Sequence, residues 1–200
     1  QVVAVHVEWR HDLAALQRAW NSHLPDDITV RRLHVVPEEF HPRYSALSRT
    51  YRYTVRQGSS EEIAGAPRRS PLTDRFALYE VRPLAVSAMQ EAAQVLVGSH
   101  DFATFGQPPG GEGTQRTVYA ADWQVVHEDL PPLGDYPGTR LVFTVTANAF
   151  LRQMVRSMVA TLLAVGRGEW SVEDGAQALA ARKRSRSAPP APPHGLVLEK

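Results

Sequence analysis

The stretch that most constrains what this chain can fold into is LVFTVTANAFLRQMVRSMVATLLAVG, residues 141–166. Leu141 to Thr146 are rich in β-branched residues and alternate as a strand does. At Phe150 the spacing changes. Phe150, Leu151, Met154, Val155, Met158, Val159, Leu162 and Leu163 recur in pairs every four residues, and Gly166 is placed to stop the resulting helix. At roughly 100° per residue the apolar arc is wide, so the spacing predicts a core helix. Arg152 and Arg156, four apart, fall on one edge of that arc beside Val159 and Leu163. A guanidinium there is not freely solvated, and leaving it unpaired would be costly. Each is therefore expected to have an anionic partner. Two readings stay open: a structural ion pair on the helix flank, or an anion held at a cleft wall.

The rest of the chain supplies strands and helices around this stretch. Gln1 to Glu8 read as a strand, and because the chain opens directly in it, an upstream portion is expected. Asp12 is a plausible N-cap for a helix with Leu13, Leu16, Trp20 and Leu24 on one face, stopped by Leu24-Pro25-Asp26-Asp27. Ile28 to Val36 read as a second strand, Pro37 to Phe40 as a short helical turn, and Tyr51 to Arg56 as a third strand. Residues 57–73 read as a loop, Phe76 to Val81 as a strand, and Pro83 to Val97 as a helix closed by Gly98. Thr117 to His127 and Leu141 to Thr146 are predicted antiparallel neighbours joined by a Pro/Gly loop. Ser171 with Asp174 resembles a capping box for a helix over Val172 to Ala181. The class is α+β: an antiparallel sheet with helices on one face.

Two hundred residues suit one domain or a compact pair of subdomains. With no cysteine, disulfides, thiolate catalysis and cysteine metal sites are excluded, which fits a reducing cytoplasm. No apolar run is long enough to span a membrane, and there is no signal-peptide pattern. The eight histidines show no helical ligand spacing, so scattered imidazoles are favoured over a metal site. Gly106 to Gly113 lacks the lysine and Ser/Thr of a phosphate loop, and no GxSxG occurs. The basic run Arg182, Lys183, Arg184, Arg186 is a solvated face or a phosphate contact. The net charge of +1 hides an asymmetry: residues 31–56 carry six arginines against Glu38 and Glu39, whereas residues 112–135 carry Arg116 against five carboxylates. A local polyanion site on a nearly neutral protein is therefore allowed.

The segment Phe40-His41-Pro42-Arg43-Tyr44-Ser45-Ala46-Leu47-Ser48-Arg49-Thr50-Tyr51-Arg52-Tyr53 interleaves arginines with aromatics. Rings that stack on splayed bases, with guanidinium groups on phosphates, give such a pattern, and so does an aromatic pair on a core strand. An ordered set of motifs goes further. Leu24-Pro25-Asp26-Asp27-Ile28, the Phe40–Tyr53 segment, His100-Asp101-Phe102 with Phe105, Arg116-Thr117, Asn148-Ala149-Phe150-Leu151-Arg152-Gln153-Met154-Val155-Arg156, Val165-Gly166 with Gly168, and Pro192-Pro193-His194-Gly195-Leu196 follow one another. Together they resemble the TruA family of tRNA pseudouridine synthases over nearly the whole chain. Pro42 stands where the family usually has alanine, and Ala160 where it usually has glycine. The family's nucleophilic aspartate lies in a GRTDAGVHA motif that these residues lack, and neither Asp12 nor Asp26 has the surroundings to replace it.

The resemblance implies the C-terminal portion of a synthase that isomerises uridine to pseudouridine at positions 38–40 of the tRNA anticodon stem-loop. It implies a pseudouridine synthase-like fold with a twisted antiparallel sheet, and a portion that is inactive alone. Residues 1–56 would be the end of an N-terminal sheet region with an RNA-facing segment, and 57–200 a C-terminal α+β domain with the catalytic cleft. Arg156 matches the arginine that keeps the nucleophilic aspartate ionised, Tyr51 the tyrosine that packs on the target base and is a candidate for C5 deprotonation, and Leu196 an apolar pocket residue. His41, Arg43, Arg49, Arg52 and Arg152 are expected to position tRNA. The partners implied are tRNA and a second copy of the chain, in a cytoplasmic homodimer, with no metal, no cofactor and no membrane. The rival readings are a non-catalytic RNA-binding remnant of the fold and an α+β scaffold without an RNA role.

Overall fold

The computed structural model describes residues 1–58, 74–108, 110, 113–127 and 139–200. Two compact units are formed, Gln1–Ala46 and Leu47–Lys200.

In the first unit the helix α1, Leu13–Asn21, is capped as expected: the Asp12 carboxylate accepts from the Ala15 amide at 2.6 Å. The strands expected at 1–8 and 28–36 are not formed. A strand needs a neighbour for its backbone groups, and none of the described strands offers one here. Val2, Val3, Val5 and Val7 are 51–72% exposed. In the second segment side-chain amides of α1 stand in for a ladder: Gln17 Nε2 donates to the Val30 carbonyl at 2.9 Å, and Val30 N–H donates to Asn21 Oδ1 at 2.7 Å. Phe40 N–H closes the expected turn onto the Pro37 carbonyl at 3.0 Å.

The second unit is built on a six-stranded sheet. Its strands are β1 (Arg49–Gln57), β2 (Leu78–Glu80), β3 (Gly98–Asp101), β4 (Gln115–His127), β5 (Thr139–Ala147) and β6 (Leu196–Leu198). The order is β2-β1-β5-β4-β3, with β6 also paired to β1. Among the described residues all pairings are antiparallel except β1 with β2, which run parallel over three residues. The expected neighbours β4 and β5 pair from Val118 opposite Ala147 to His127 opposite Thr139, with a bulge between Val118 and Ala120; the loop expected between them lies outside the described residues. Period-2 alternation sends Tyr53, Val55, Leu141, Phe143, Val145, Ala121 and Trp123 to one face, and a row Tyr53–Phe143–Trp123 runs straight across three strands. The other face carries Arg52, Thr144 and Asp122 in the neighbouring row.

Among the described residues three helices complete the core: α2 (Val86–Gln94), α3 (Met154–Gly166) and α4 (Val172–Ala181). α3 is the central element that its sequence predicts. Every residue from Met154 to Gly166 is buried apart from Arg156, which is half-buried. α4 begins with the expected capping box between Ser171 and Asp174. α2 also covers a sheet edge: Gln90 Oε1 accepts from the Trp123 amide at 2.7 Å, and Gln94 Nε2 donates to the Ala121 carbonyl at 3.0 Å. Those backbone groups of β4 lie beyond the reach of the short β3 and would otherwise be unpaired. Among the described residues no helix is long and apolar enough to cross a membrane.

Two boundaries differ from expectation. α3 starts at Met154, not Phe150. The backbones of Arg152 and Gln107 pair as an isolated bridge, so the chain turns into the helix at Gln153, whose φ of 66° is left-handed. At the other end Gly166 is the last helical residue, and the left-handed glycine is Gly168, φ 70°. Glycine at 166 answers a close approach instead: a Cβ there would meet Met89 Cγ at 2.8 Å and Leu84 Cδ2 at 3.1 Å.

Candidate active site

The start of α3 decides what its two arginines do. Helix spacing would set Arg152 and Arg156 on one edge, but the left-handed residue lies between them and parts them. Arg152 is exposed, which removes the reason for it to need an ionic partner. Arg156 stays half-buried in the first turn of α3. Its Nε donates to the Ala191 carbonyl at 2.5 Å, while the Ala191 amide donates back to the Arg156 carbonyl at 3.0 Å. Among the described residues no carboxylate pairs with Arg156, so of the two readings left open the structural ion pair is not found. Its two terminal nitrogens make no hydrogen bond there either. A guanidinium pinned through Nε presents those two nitrogens as a fork that matches a carboxylate.

The segment that Arg156 holds leads straight into β6, which lies antiparallel on β1 with Leu196 opposite Tyr53 and Leu198 opposite Tyr51. The Tyr53 hydroxyl donates to the Pro192 carbonyl at 2.8 Å. Burial pushes this phenol up to about 12, against a smaller opposing pull from the Arg156 charge, so it stays a donor at any physiological pH. Gly195 passes so close that a Cβ would lie 2.8 Å from the Thr54 carbonyl oxygen and 2.9 Å from the Tyr53 ring. Residues 191–198 are thus a strap laid over Tyr53 and tied to α3. Tyr51, two residues along the same face of β1, is half-buried, with its ring edge-on to Phe150 at 5.0 Å between centroids. Arg156, Leu196 and the Tyr51–Tyr53 face are therefore joined through one strap and one strand.

The other predicted site residues are dispersed. Arg52 points to the opposite sheet face and makes an exposed pair with Glu199 at 3.4 Å. Arg49 opens β1 opposite Ala147 and is half-buried. His41 and Arg43 belong to the first unit. There His41 Nδ1 accepts from the amides of Arg43 and Tyr44 at 3.1 and 3.2 Å, and the Arg43 guanidinium lies 5.6 Å from the Tyr44 ring centroid. Tyr53 is the residue that sequence reasoning undervalued. Its alternation with Tyr51 was visible, but its partner, a carbonyl 139 positions away, was not. A cleft of about 310 Å³ lies elsewhere, between Ser99–Asp101 and the last turns of α4, and none of the predicted site residues lines it. Among the described residues no three His, Asp or Glu side chains gather as a metal would require.

The family model described as tRNA pseudouridine synthase matches residues 92–200, which include α3, the strap and β6. The chain belongs to the tRNA pseudouridine synthase family. It is 40% identical over 198 residues to tRNA pseudouridine synthase A of Roseiflexus castenholzii, covering 99% of this chain and 67% of the relative. The protein of the same name from Chloroflexus aurantiacus is 39% identical over 202 residues (99% of this chain, 66% of the relative), and that from Acidiphilium cryptum 38% over 201 residues (99% and 71%). The chain thus spans about two thirds of the length of the curated relatives it matches. The TruA resemblance read from the motifs is supported across the chain, and the α+β synthase fold agrees with the observed sheet and helices.

Proposed function

We propose that this chain forms the arginine-bearing wall of a tRNA pseudouridine synthase active site that converts uridine to pseudouridine in the anticodon stem-loop, at positions 38–40. The observation that carries this reading is Arg156: Nε tied to the Ala191 carbonyl, both terminal nitrogens without a partner among the described residues. The reaction breaks the N1–C1′ glycosidic bond, joins C5 to C1′, and takes a proton from C5 while N1 gains one, so the atoms balance. It is an isomerisation, so no electrons are gained or lost and no redox cofactor is called for. The nucleophile is an aspartate that these 200 residues do not supply in its GRTDAGVHA setting; Asp12 is engaged as the cap of α1. A carboxylate in a pocket closed to water is pushed towards its neutral form unless a cation holds it ionised. Arg156 has the geometry for that task.

In this reading Tyr51 packs on the target base, Leu196 lines the pocket, and His41, Arg43, Arg49, Arg52 and Arg152 meet the tRNA backbone. Extrusion of the base adds the cost of opening the stem. The enzyme acts in the cytoplasm as a homodimer on one tRNA. The test is tritium release from tRNA carrying 5-tritiated uridine, with the full-length protein. Arg156→Ala is expected to abolish turnover while tRNA affinity stays within a few-fold of wild type, because the arginine serves the aspartate rather than the RNA. Equal losses of affinity and rate would refute the assignment. Tight tRNA binding without any turnover in the full-length wild type would favour the non-catalytic RNA-binding reading.

A further inference from the structure

Two half-buried arginines stand near the two ends of α3, and they are treated very differently. Arg167, just past the C-terminal end, faces the Glu80 carboxylate at 3.2 Å and the Glu169 carboxylate at 2.9 Å. The helix dipole favours a cation there too. Arg184 lies against the first turns of α3. Its Nη1 donates to Ser157 Oγ at 2.8 Å, the Thr104 carbonyl at 3.1 Å and Ser187 Oγ at 3.2 Å, and its Nη2 to Gln153 Oε1 at 3.3 Å. All four acceptors are neutral, and among the described residues no carboxylate pairs with it. Burial alone acts on its charge and pulls its pKa down, with no opposing anion, whereas Arg167 has two. At this end the dipole opposes a cation as well.

The neighbours of Arg184 add to the imbalance. Arg152 precedes Gln153, the residue that Arg184 holds, and is exposed without a carboxylate partner among the described residues. Lys183 is exposed and likewise unpaired, and its amide is fixed on Thr104 Oγ1 at 3.1 Å. Of the remaining members of the basic run, Arg182 lies 3.9 Å from the Asp101 carboxylate, and Arg186 is exposed. Three cations without counter-charges thus sit on two turns that Arg184 ties together. Only the half-buried Arg184 costs stability for want of a counter-charge; the two exposed cations beside it add a positive potential that an anion supplied from outside would meet.

We propose that Arg152, Lys183 and Arg184 form a phosphate-binding surface that takes the backbone of the RNA strand next to the site marked by Arg156. This rests on the reading of the protein as a tRNA synthase, and it assigns Lys183 and Arg184 of the basic run to the contact. The hydrogen bonds of Arg184 leave it rigid, so it meets a phosphate without ordering a long side chain first. The test measures tRNA affinity of the full-length protein against salt, for wild type, the double variant Arg152→Gln/Lys183→Gln, and Arg184→Gln. Each phosphate contact contributes about 0.7–0.9 to the log–log slope, so the double variant is expected to be shallower by roughly 1.4–1.8. Arg184→Gln should lose about one contact's worth, with folding checked by circular dichroism. A double-variant slope equal to wild type overturns the proposal even if Arg184→Gln fails to fold. A flat wild-type response instead removes the RNA reading itself, so the two failures are distinguishable.

Discussion

Gly195→Ala tests whether the strap over Tyr53 is as tightly built as its contacts indicate. The new methyl would stand 2.8 Å from the Thr54 carbonyl oxygen and 2.9 Å from Cε1 and Cζ of Tyr53. Neither neighbour yields readily: Thr54 belongs to the middle of β1, and Tyr53 has no exposed surface and is fixed by its hydroxyl to Pro192. Forcing a methylene-sized group into such packing costs about 1–3 kcal/mol. Gly195 is not among the positive-φ glycines, so alanine meets no backbone penalty and recovers about 0.4–1 kcal/mol by narrowing the unfolded ensemble. The difference spans about 0–2.6 kcal/mol, with a central loss of about 1.3 kcal/mol, read from the urea midpoint of the full-length protein by circular dichroism. Gly166→Ala is the control. Its methyl meets mainly the flexible end of Met89, and alanine at this last helical position recovers part of the roughly 1 kcal/mol interior helix propensity, so its loss should be the smaller. The reasoning is refuted if Gly195→Ala is more stable than wild type, or if the order of the two variants is reversed.

Three further outcomes are expected. Tyr53→Phe leaves the Pro192 carbonyl without its donor and should cost about 0.5–1.5 kcal/mol; because the adjacent Ala191 carbonyl holds Arg156, tritium release should slow several-fold at unchanged tRNA affinity. Ser171→Ala removes the cap of α4 and should lower stability by about 1 kcal/mol in the same urea assay. Glu169 is held at about 2 by hydrogen bonds from Arg167 and Arg82, below its ordinary 4.5, so its contribution is complete above pH 4.5 and fades as pH falls towards 2. Urea midpoints of wild type and Glu169→Gln should therefore differ at pH 7 and converge near pH 2, with the difference reduced by salt because the carboxylate is exposed.

Local patterns in the sequence carried far. The strand-to-helix change across 141–166, the pairing of β4 with β5, the Asp12 cap and the Ser171–Asp174 capping box each depend on a few adjacent residues, and each is found. The segments at 1–8 and 28–36 have the composition of strands, yet a strand exists only with a partner, and composition does not say whether one is present. The parallel pairing of Leu78–Glu80 with β1 was illegible for a related reason: three residues carry too little pattern to fix a direction. The strap illustrates the limit best. Pro192 to Leu196 was visible as a motif, but the bonds that fix it reach back to Arg156 and Tyr53, across 35 and 139 positions.

Gln153 explains why the same periodicity that located the central helix misplaced one arginine. Helical spacing treats residues 150–166 as one continuous surface, so positions 152 and 156 must lie one above the other. The bridge between Arg152 and Gln107 takes the chain out of that register, and a left-handed residue restores it one step later. A glutamine in that conformation is held at a cost, and its side chain shows one thing that holds it: Gln153 Oε1 accepts from Arg184. The arginines on either side then face different demands. Arg156, inside the helix, is oriented by a carbonyl and offers its fork at the edge of the core; Arg152, outside it, keeps its charge in water beside Arg184 and Lys183. In the proposed reading, one strained residue thus separates the arginine that would hold a catalytic carboxylate ionised from the one that would meet a phosphate. A continuous helix from Phe150 would have placed both cations on the same flank, where each would raise the cost of the other.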